Sequence, residues 1–269
     1  MKLIAIHSMP RSGSTWLGSI IDSHPHICYK HQPLFSYCLK GYLDETSDYE
    51  KIQKFKSDLI GTNEQFIDQI EKKNRGIIPT FKKGIVKAVA YKETRYHYIL
   101  ENLLKNDQKV ILVCLIRNPL AHLFSWFNAP KEFRQDLGWN IREEWFFADK
   151  KNRGKKEEYY GYQKWKETSI LFHSLLEKFP NRCLIVDYSQ LLKNPFKQTT
   201  HIFNFINLKI HPQTENFIIE SKRRNDNDPY GVYRTKQNDN SWQGELPDCI
   251  VDYIYNDLFA TELEPYINS

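Results

Sequence analysis

Residues 3–17, LIAIHSMPRSGSTWL, decide the fold. The apolar run at 3–6 is typical of a buried strand, and a polar loop then leads into a helix whose first turn contains Thr15. A strand, a tight loop and a helix N-terminus together make a cradle for an anion, because backbone N–H groups and the positive end of the helix dipole face the ligand. Gly13 lets the backbone approach closely, and Arg11 adds a forked, permanently charged donor.

The same loop differs from the ordinary ATP- and GTP-binding loop. In the pattern GxxxxGK followed by Ser or Thr, Ser8 stands where the first glycine belongs and Ser14 where the lysine belongs. An ordinary ATPase or GTPase is therefore disfavoured, while a simple turn with a Ser or Thr helix cap remains the structural alternative. The other predicted anion-binding residues of the loop are Ser12, Ser14, Thr15 and Trp16.

Short apolar runs rich in β-branched residues recur along the chain, and helical patterns lie between them. Continuous apolar runs of this kind are typical of strands buried on both faces, and their alternation with helices predicts right-handed crossovers. We therefore predict an α/β fold, an open parallel sheet flanked by helices. The predicted strands are 3–6, 27–29, 85–91, 110–116 and 183–186, and the predicted helices include 16–23, 168–179 and a closing helix from Leu246 to Leu258.

The chain has 269 residues, of which 41% are hydrophobic and 14% aromatic, which suits one large globular domain. Within a single domain over 1–269 we predict helical insertions at about 34–80 and 130–165 that cap a ligand cleft. The polar stretch at about 221–244, rich in Asn, Gly and Pro, is predicted to be a lid loop.

Charge and cysteine content exclude several classes of function. The net charge of +5 is a weak bias, because 33 acidic residues are interspersed with 38 basic ones, so we predict no nucleic-acid partner. The five cysteines lack CxxC spacing, which favours reduced core thiols over disulfides or a metal site. The first apolar run starts too early for a signal peptide, and none is long enough to span a bilayer; we expect a soluble, cytoplasmic protein.

A second motif follows the predicted strand 110–116. That strand runs directly into Arg117-Asn118-Pro119, where Pro119 suits the first position of a helix, and Ser125 follows Arg117 by eight residues. An arginine and a hydroxyl at the end of a strand suit a phosphate dianion. Ligands of open α/β sheets also bind at this edge.

Together the two motifs resemble those of the sulfotransferase superfamily that uses 3′-phosphoadenylyl sulfate (PAPS), and the loop looks most like that of carbohydrate-type, bacterial-like soluble members. In that superfamily the first loop holds the 5′-phosphosulfate and the second motif holds the 3′-phosphate. The resemblance implies the sulfotransferase fold, a P-loop-like nucleotide site and PAPS as the sulfuryl donor, with adenosine 3′,5′-bisphosphate (PAP) as product. It implies no metal, and a hydroxyl acceptor that we expect to be a carbohydrate or glycolipid.

The resemblance also assigns roles to individual residues. Arg11 is the expected catalytic cation, and Lys92, at the end of the predicted third strand, is expected to orient the transferring group. Arg117 and Ser125 match the 3′-phosphate site, and Arg234 and Lys236 are the available counterparts of basic residues that hold the nucleotide from a late loop.

The general base is less clear, because Gln32 stands where carbohydrate-type members carry a glutamate. Glutamine cannot accept a proton, so the role passes to another residue. We favour His31, whose ordinary pKa lies near neutrality, while Glu93 or a residue that the sequence does not reveal stays open.

Two other functions remain open at this point. A nucleotide or small-molecule kinase with a degenerate phosphate loop would share the strand, loop and helix, although the strand at 110–116 ends in Ile-Arg and offers no magnesium-binding aspartate. A non-enzymatic binding module would keep the nucleotide cleft without a base, which Gln32 supports.

Overall fold

The structure of the protein is a computed structural model that describes residues 1–225, 231–233, 235–236 and 238–268. Within these residues one sheet of five parallel strands has the order β2-β3-β1-β4-β5. The predicted α/β class with an open parallel sheet is confirmed. The strands are β1 Lys2–Ser8, β2 Ile27–His31, β3 Ala88–Glu93, β4 Val110–Ile116 and β5 Cys183–Asp187.

The first strand is the centre of the sheet, since β1 pairs with β3 on one side and with β4 on the other. Ile4 lies opposite Ala90 of β3 and opposite Ile111 of β4. Parallel pairing brings the carboxyl ends of all the strands to one edge. The loops that follow β1, β2, β3 and β4 therefore meet there, as the sequence predicted for the two phosphate motifs.

The position of β3 differs from the prediction of a strand at 85–91. The observed strand begins at Ala88, opposite Lys2 and Ile27, and continues to Glu93. Residues 85–87 precede the first paired positions of both neighbouring strands, and Ile85 is 81% exposed. The shift carries the last residues of β3 to the ligand edge of the sheet.

Helices cover both faces of the sheet, as the α/β pattern predicted. The described helices are α1 Ser14–Asp22, α2 Tyr49–Gly61, α3 Ile70–Asn74, α4 Leu100–Asn106, α5 Pro119–Phe127, α6 Ile141–Glu144, α7 Asp149–Asn152, α8 Tyr162–Lys178, α9 Tyr188–Lys193, α10 Pro195–Phe205, α11 Pro212–Arg223 and α12 Asp248–Leu258. α8 starts inside the expected helical insertion at about 130–165, and α11 ends just inside the expected loop at about 221–244.

Alternate residues of β1 point to opposite faces of the sheet, and both faces are buried. Leu3 and Ala5 belong to one apolar core, whereas Ile4 and Ile6 belong to the other. This two-sided burial explains why the strands read as continuous apolar runs instead of alternating ones. Across the described ranges no helix has the length and apolar character needed to cross a membrane.

The prediction that the cysteines are core thiols is right for two of them and wrong for two others. Cys114 and Cys183 lie on the neighbouring strands β4 and β5 and are buried, whereas Cys38 and Cys249 are exposed. The buried pair sits in apolar strand sequences, while the exposed pair lies in a turn and on the polar face of a helix.

Candidate active site

A cleft of about 870 Å³ lies where the loops at the carboxyl edge of the sheet meet. Its walls include most of the residues that the sequence singled out: Arg11, Gly13, Ser14, Thr15, Trp16, His31, Lys92, Arg117, Ser125 and Lys236. Ser12 is the exception, because its side chain is buried and does not line the cleft, which leaves only its backbone for a ligand. Arg234 lies outside the described residues.

The phosphate loop has the backbone of an anion cradle. Gly13 caps α1 with a φ of 84°, and Arg11 also takes a left-handed conformation, with a φ of 64°. The first N–H groups of a helix have no partner inside it, so those of Ser14 and Thr15 are available to a ligand. A second reason for glycine at position 13 is visible only in the structure, because a Cβ there would overlap the ring of Tyr188.

Arg117 is held by an acidic side chain. Its Nε and Nη2 donate to Asp239 Oδ2 and Oδ1 at 2.7 and 2.6 Å, and its Nη1 donates to the Arg11 carbonyl oxygen at 2.5 Å. Lys236 Nζ donates to the same carboxylate at 2.5 Å. Burial of Asp239 opposes its ionisation, but the Arg117 charge and hydrogen bonds prevail and hold the pKa of Asp239 below its usual range. The Arg117 guanidinium therefore already binds an anionic group, the Asp239 carboxylate, through two of its nitrogens.

The end of α11 closes this side of the cleft. Trp16 Nε1 donates to Ser221 Oγ at 3.0 Å, and Lys222 Nζ lies 5.9 Å from the centre of the Trp16 ring. Lys222 Nζ also donates to the carbonyl oxygen of Lys236 at 2.5 Å. We call the part of the cleft lined by residues 11 and 13–16, Arg117, Ser221, Lys222 and Lys236 the phosphate lobe.

A second part of the cleft lies beside the ends of β2 and β3. Arg95 Cζ lies 4.1 Å from the centre of the Phe35 ring, and the Phe66 ring packs between the side chains of Phe35 and His31 at 5.9 and 5.6 Å. We call it the β2 lobe; its lining residues are His31, Gln32, Phe35, Phe66, Glu71, Lys72, Arg75, Thr94, Arg95, Lys131, Glu132, Lys151 and Tyr160.

Hydrogen bonds in the β2 lobe fix the tautomer of His31. Gln32 Oε1 accepts from Thr94 Oγ1 at 3.2 Å and from Arg95 Nη1 at 3.3 Å, so the amide nitrogen of Gln32 faces His31 Nε2 at 3.0 Å. Because arginine can only donate, the amide cannot be flipped. Gln32 therefore donates to His31 Nε2, which carries the lone pair, and the proton of the neutral ring is on Nδ1.

Burial keeps the His31 ring neutral and makes protonation of Lys92 less favourable. Burial first, and then the charges of Lys92 and Lys72, hold the pKa of His31 well below 6.5. Burial likewise lowers the pKa of Lys92. Glu93 is fully buried and does not line the cleft; its Oε1 accepts from the Leu34 N–H at 2.8 Å, and burial raises its pKa. Glu93 thus anchors the turn after β2.

A carboxylate that the sequence did not single out joins the two lobes. Glu132 follows α5, and its Oε1 lies 3.8 Å from Arg11 Nη1. Tyr160 OH donates to Glu132 Oε2 at 3.2 Å, and Lys151 Nζ lies 4.7 Å from the centre of the Tyr160 ring. Residues from both predicted insertions therefore reach the cleft, Phe66 to Arg75 from the first and Lys131 to Tyr160 from the second.

The comparisons with known proteins agree with this geometry. A family model described as a sulfotransferase domain matches residues 2–261. The mouse sulfotransferase SULT7A1 complexed with PAP is 12% identical, with a TM-score of 0.59 over 99% of this chain and 88% of that chain. No curated protein matches the chain.

Two further solved structures share the fold. Retinol dehydratase in complex with retinol and PAP is 14% identical, with a TM-score of 0.55 over 98% of this chain and 83% of that one. The sulfotransferase domain from the curacin biosynthetic pathway is 16% identical, with a TM-score of 0.52 over 96% and 97% of the two chains. At these identities the structures show a common fold.

Proposed function

The chain belongs to the sulfotransferase family, and on that premise we propose that it transfers a sulfuryl group from PAPS to a hydroxyl of a carbohydrate or glycolipid. The observation that carries the proposal is the meeting of the phosphate loop with Arg117 in one cleft. A kinase is disfavoured by the same family membership and by the missing lysine of the loop. The solved relatives that contain PAP support the choice of donor.

In the phosphate lobe, the loop from Arg11 to Trp16 binds the 5′-phosphosulfate through the N–H groups of α1 and the Arg11 guanidinium. The 3′-phosphate binds at Arg117 with Ser125, where its oxygens replace the two carboxylate oxygens of Asp239. Lys236, released from Asp239, faces the same phosphate. Arg234 is proposed to assist from the same late loop.

The transfer is an in-line displacement. A new bond forms between the acceptor oxygen and sulfur while the bond from sulfur to the bridging oxygen breaks, and its electron pair stays on the 5′-phosphate of PAP. Arg11 and Lys92 stabilise the charge that develops there, because fixed donors in a dry site need no reorganisation. The acceptor hydroxyl loses one proton to a base.

We propose that His31 is the base that accepts this proton. The neutral ring carries its lone pair on Nε2, and an acceptor hydroxyl takes the place of the Gln32 amide as hydrogen-bond donor to that nitrogen. Glu93 is not proposed, because it is sealed from the cleft and engaged with Leu34. The aromatic rings of Phe35 and Phe66, which are exposed in the β2 lobe, offer surface for packing against sugar rings.

A thermal-shift comparison tests the proposal. A ligand of the native state stabilises it by RT ln(1 + [L]/Kd), so PAP is expected to raise the melting temperature at concentrations where ATP with Mg²⁺ does not. Incubation with PAPS and a panel of sugars should then yield PAP together with a sulfated product. A larger shift with ATP and Mg²⁺, or the absence of a PAP shift, contradicts the assignment. PAP binding without product from any acceptor indicates a binding module.

A further inference from the structure

We infer that the acceptor carries a negative charge of its own, a carboxylate or sulfate ester beside the hydroxyl that is modified. The inference rests on the proposed function, because it takes the β2 lobe as the place of the acceptor. It deepens that function from a sugar hydroxyl in general to the hydroxyl of an anionic sugar.

Basic side chains dominate the β2 lobe. Those that line it are Lys72, Arg75, Arg95, Lys131 and Lys151, and the acidic ones are Glu71 and Glu132. Both carboxylates already face arginines: Glu71 Oε1 lies 3.3 Å from Arg75 Nη1, and Glu132 lies 3.8 Å from Arg11. The donor needs none of these five cations, because the phosphate lobe has Arg11, Arg117, Lys222 and Lys236 of its own. In the β2 lobe, which receives the acceptor, the basic lining residues therefore outnumber the acidic ones without counting those that bind the donor.

Among these cations, Lys151 gives the strongest evidence for an anionic ligand. Its ammonium lies over the Tyr160 ring, and no carboxylate oxygen among the described residues lies within 4.0 Å of it. The side chain is half-buried, and burial lowers its pKa more than the surrounding carboxylates raise it. An anion bound beside Lys151 would restore the solvation that burial removes.

Lys72 extends the positive field to the reaction centre. Its charge contributes to the lowered pKa of His31 and of Lys92, so it acts where the acceptor hydroxyl must lie. Arg95, only 9% exposed, directs its guanidinium to Gln32 and to Glu158, which is outside the cleft lining. A carboxylate or sulfate on the acceptor would be attracted by these cations, whereas a neutral sugar would gain no such attraction.

The test uses paired probes in which one neutral group is exchanged for a carboxylate: p-nitrophenyl β-glucuronide against p-nitrophenyl β-glucoside, and 4-hydroxyphenylacetate against 4-hydroxyphenylacetamide. Binding to the PAP complex is measured by titration, and sulfuryl transfer from PAPS is measured in parallel. We expect at least one anionic probe to bind about tenfold more tightly than its neutral partner at low salt, and the preference to shrink as salt is added.

Two variants connect the preference to the lobe. Lys151→Gln and Lys72→Gln should each weaken binding of the anionic probe and so reduce its preference over the neutral probe several-fold. Lys197→Gln, an exposed lysine on α10 away from the cleft, is the matched control and should change neither. Equal binding within both pairs, no binding of either anionic probe, or an unchanged preference in both cleft variants overturns the inference. A normal PAP titration in the same experiment shows that the donor assignment stands even then.

Discussion

At the end of β2, Gln32 occupies the position where the family resemblance implies a glutamate, and its amide donates to His31. The lone pair of His31 is therefore presented on Nε2, and burial keeps the ring neutral. A base that is neutral at physiological pH needs no deprotonation before it accepts the acceptor proton. In the proposed mechanism, His31 takes the part of that carboxylate, and Gln32 selects its tautomer.

Replacement of His31 tests that role. We expect His31→Ala to lower kcat by about 10²-fold, the usual contribution of a general base, with nearly unchanged affinity for PAP. In the parent enzyme the fall of kcat that follows protonation of His31 should come only below about pH 6.5, because burial depresses the pKa of His31. Stopped assays across pH measure both. The matched variant Glu132→Gln keeps its turnover if His31 is the base; loss of turnover in Glu132→Gln and not in His31→Ala would assign the proton to the carboxylate.

Asp239 could not be selected from the sequence. It lies 122 positions from Arg117, and no local pattern connects an aspartate in a polar loop with a distant arginine at a strand end. The predicted partner of Arg117 was a phosphate, and the structure shows a carboxylate with the same bidentate geometry. We interpret Asp239 as an internal competitor of the 3′-phosphate.

Removal of that competitor should strengthen nucleotide binding. We expect Asp239→Asn to bind PAP about tenfold more tightly, while the ligand-free protein loses about 3 kcal/mol of stability because the buried Arg117 loses its counter-charge. Titration gives the affinity and chemical denaturation gives the stability. Asp252→Asn, an exposed position on α12, serves as the control. Weaker PAP binding in Asp239→Asn would mean that the aspartate orients Arg117 for the ligand instead of competing with it.

Among the elements, the strands were predictable and the contacts between loops were not. Buried parallel strands produce continuous apolar runs, and these located each strand of the sheet. The boundary of β3 was misplaced because Ile85 and Val86 continue the apolar run beyond the first paired residue. The loop after β1 and the Arg-Asn-Pro segment after β4 could be placed at the carboxyl edge of the sheet because each directly follows an apolar strand run. Glu132 and Lys151 were not selected, since their role depends on how the insertion that carries both folds over the cleft. Arg95 was not selected because its role depends on its contacts with Gln32 and Glu158.

The turn between β1 and α1 requires glycine at position 13, and this requirement predicts the cost of replacing it. Gly13 has a positive φ and a Cβ there would overlap the Tyr188 ring, whereas Gly41 has a φ of 61° with nothing near its missing Cβ. Gly13→Ala should therefore cost about 2–4 kcal/mol, from the left-handed backbone and the displaced ring, and Gly41→Ala only about 1 kcal/mol. Urea denaturation measures both. PAP affinity should fall only in Gly13→Ala; equal losses of stability in the two variants would show that Tyr188 moves aside at no cost.

For the molecule as a whole, the relevant property is where the charge lies. The net charge of +5 is small, and the sequence distributes acidic and basic residues along the entire chain. Folding brings many basic side chains to one cleft, whose described lining has only Glu71 and Glu132 as acidic residues. This concentration could not be read from composition, because it depends on which insertions reach the carboxyl edge of the sheet. It gives a nearly balanced protein a strongly positive binding site.

Such a cleft should make nucleotide affinity depend on salt. Screening shortens the reach of the field to about 10 Å at 0.1 M ionic strength, so the distant lysines of the cleft stop contributing while direct contacts persist. We expect the Kd of PAP to rise about tenfold between roughly 50 and 300 mM NaCl. Adenosine, which has the same base and sugar without phosphates, is the control, and its Kd should change little. Titration calorimetry of both ligands over the salt series provides the measurement. Parallel changes for the two ligands would mean that the nucleotide is held by its base and ribose, and that the basic residues of the cleft face the acceptor alone.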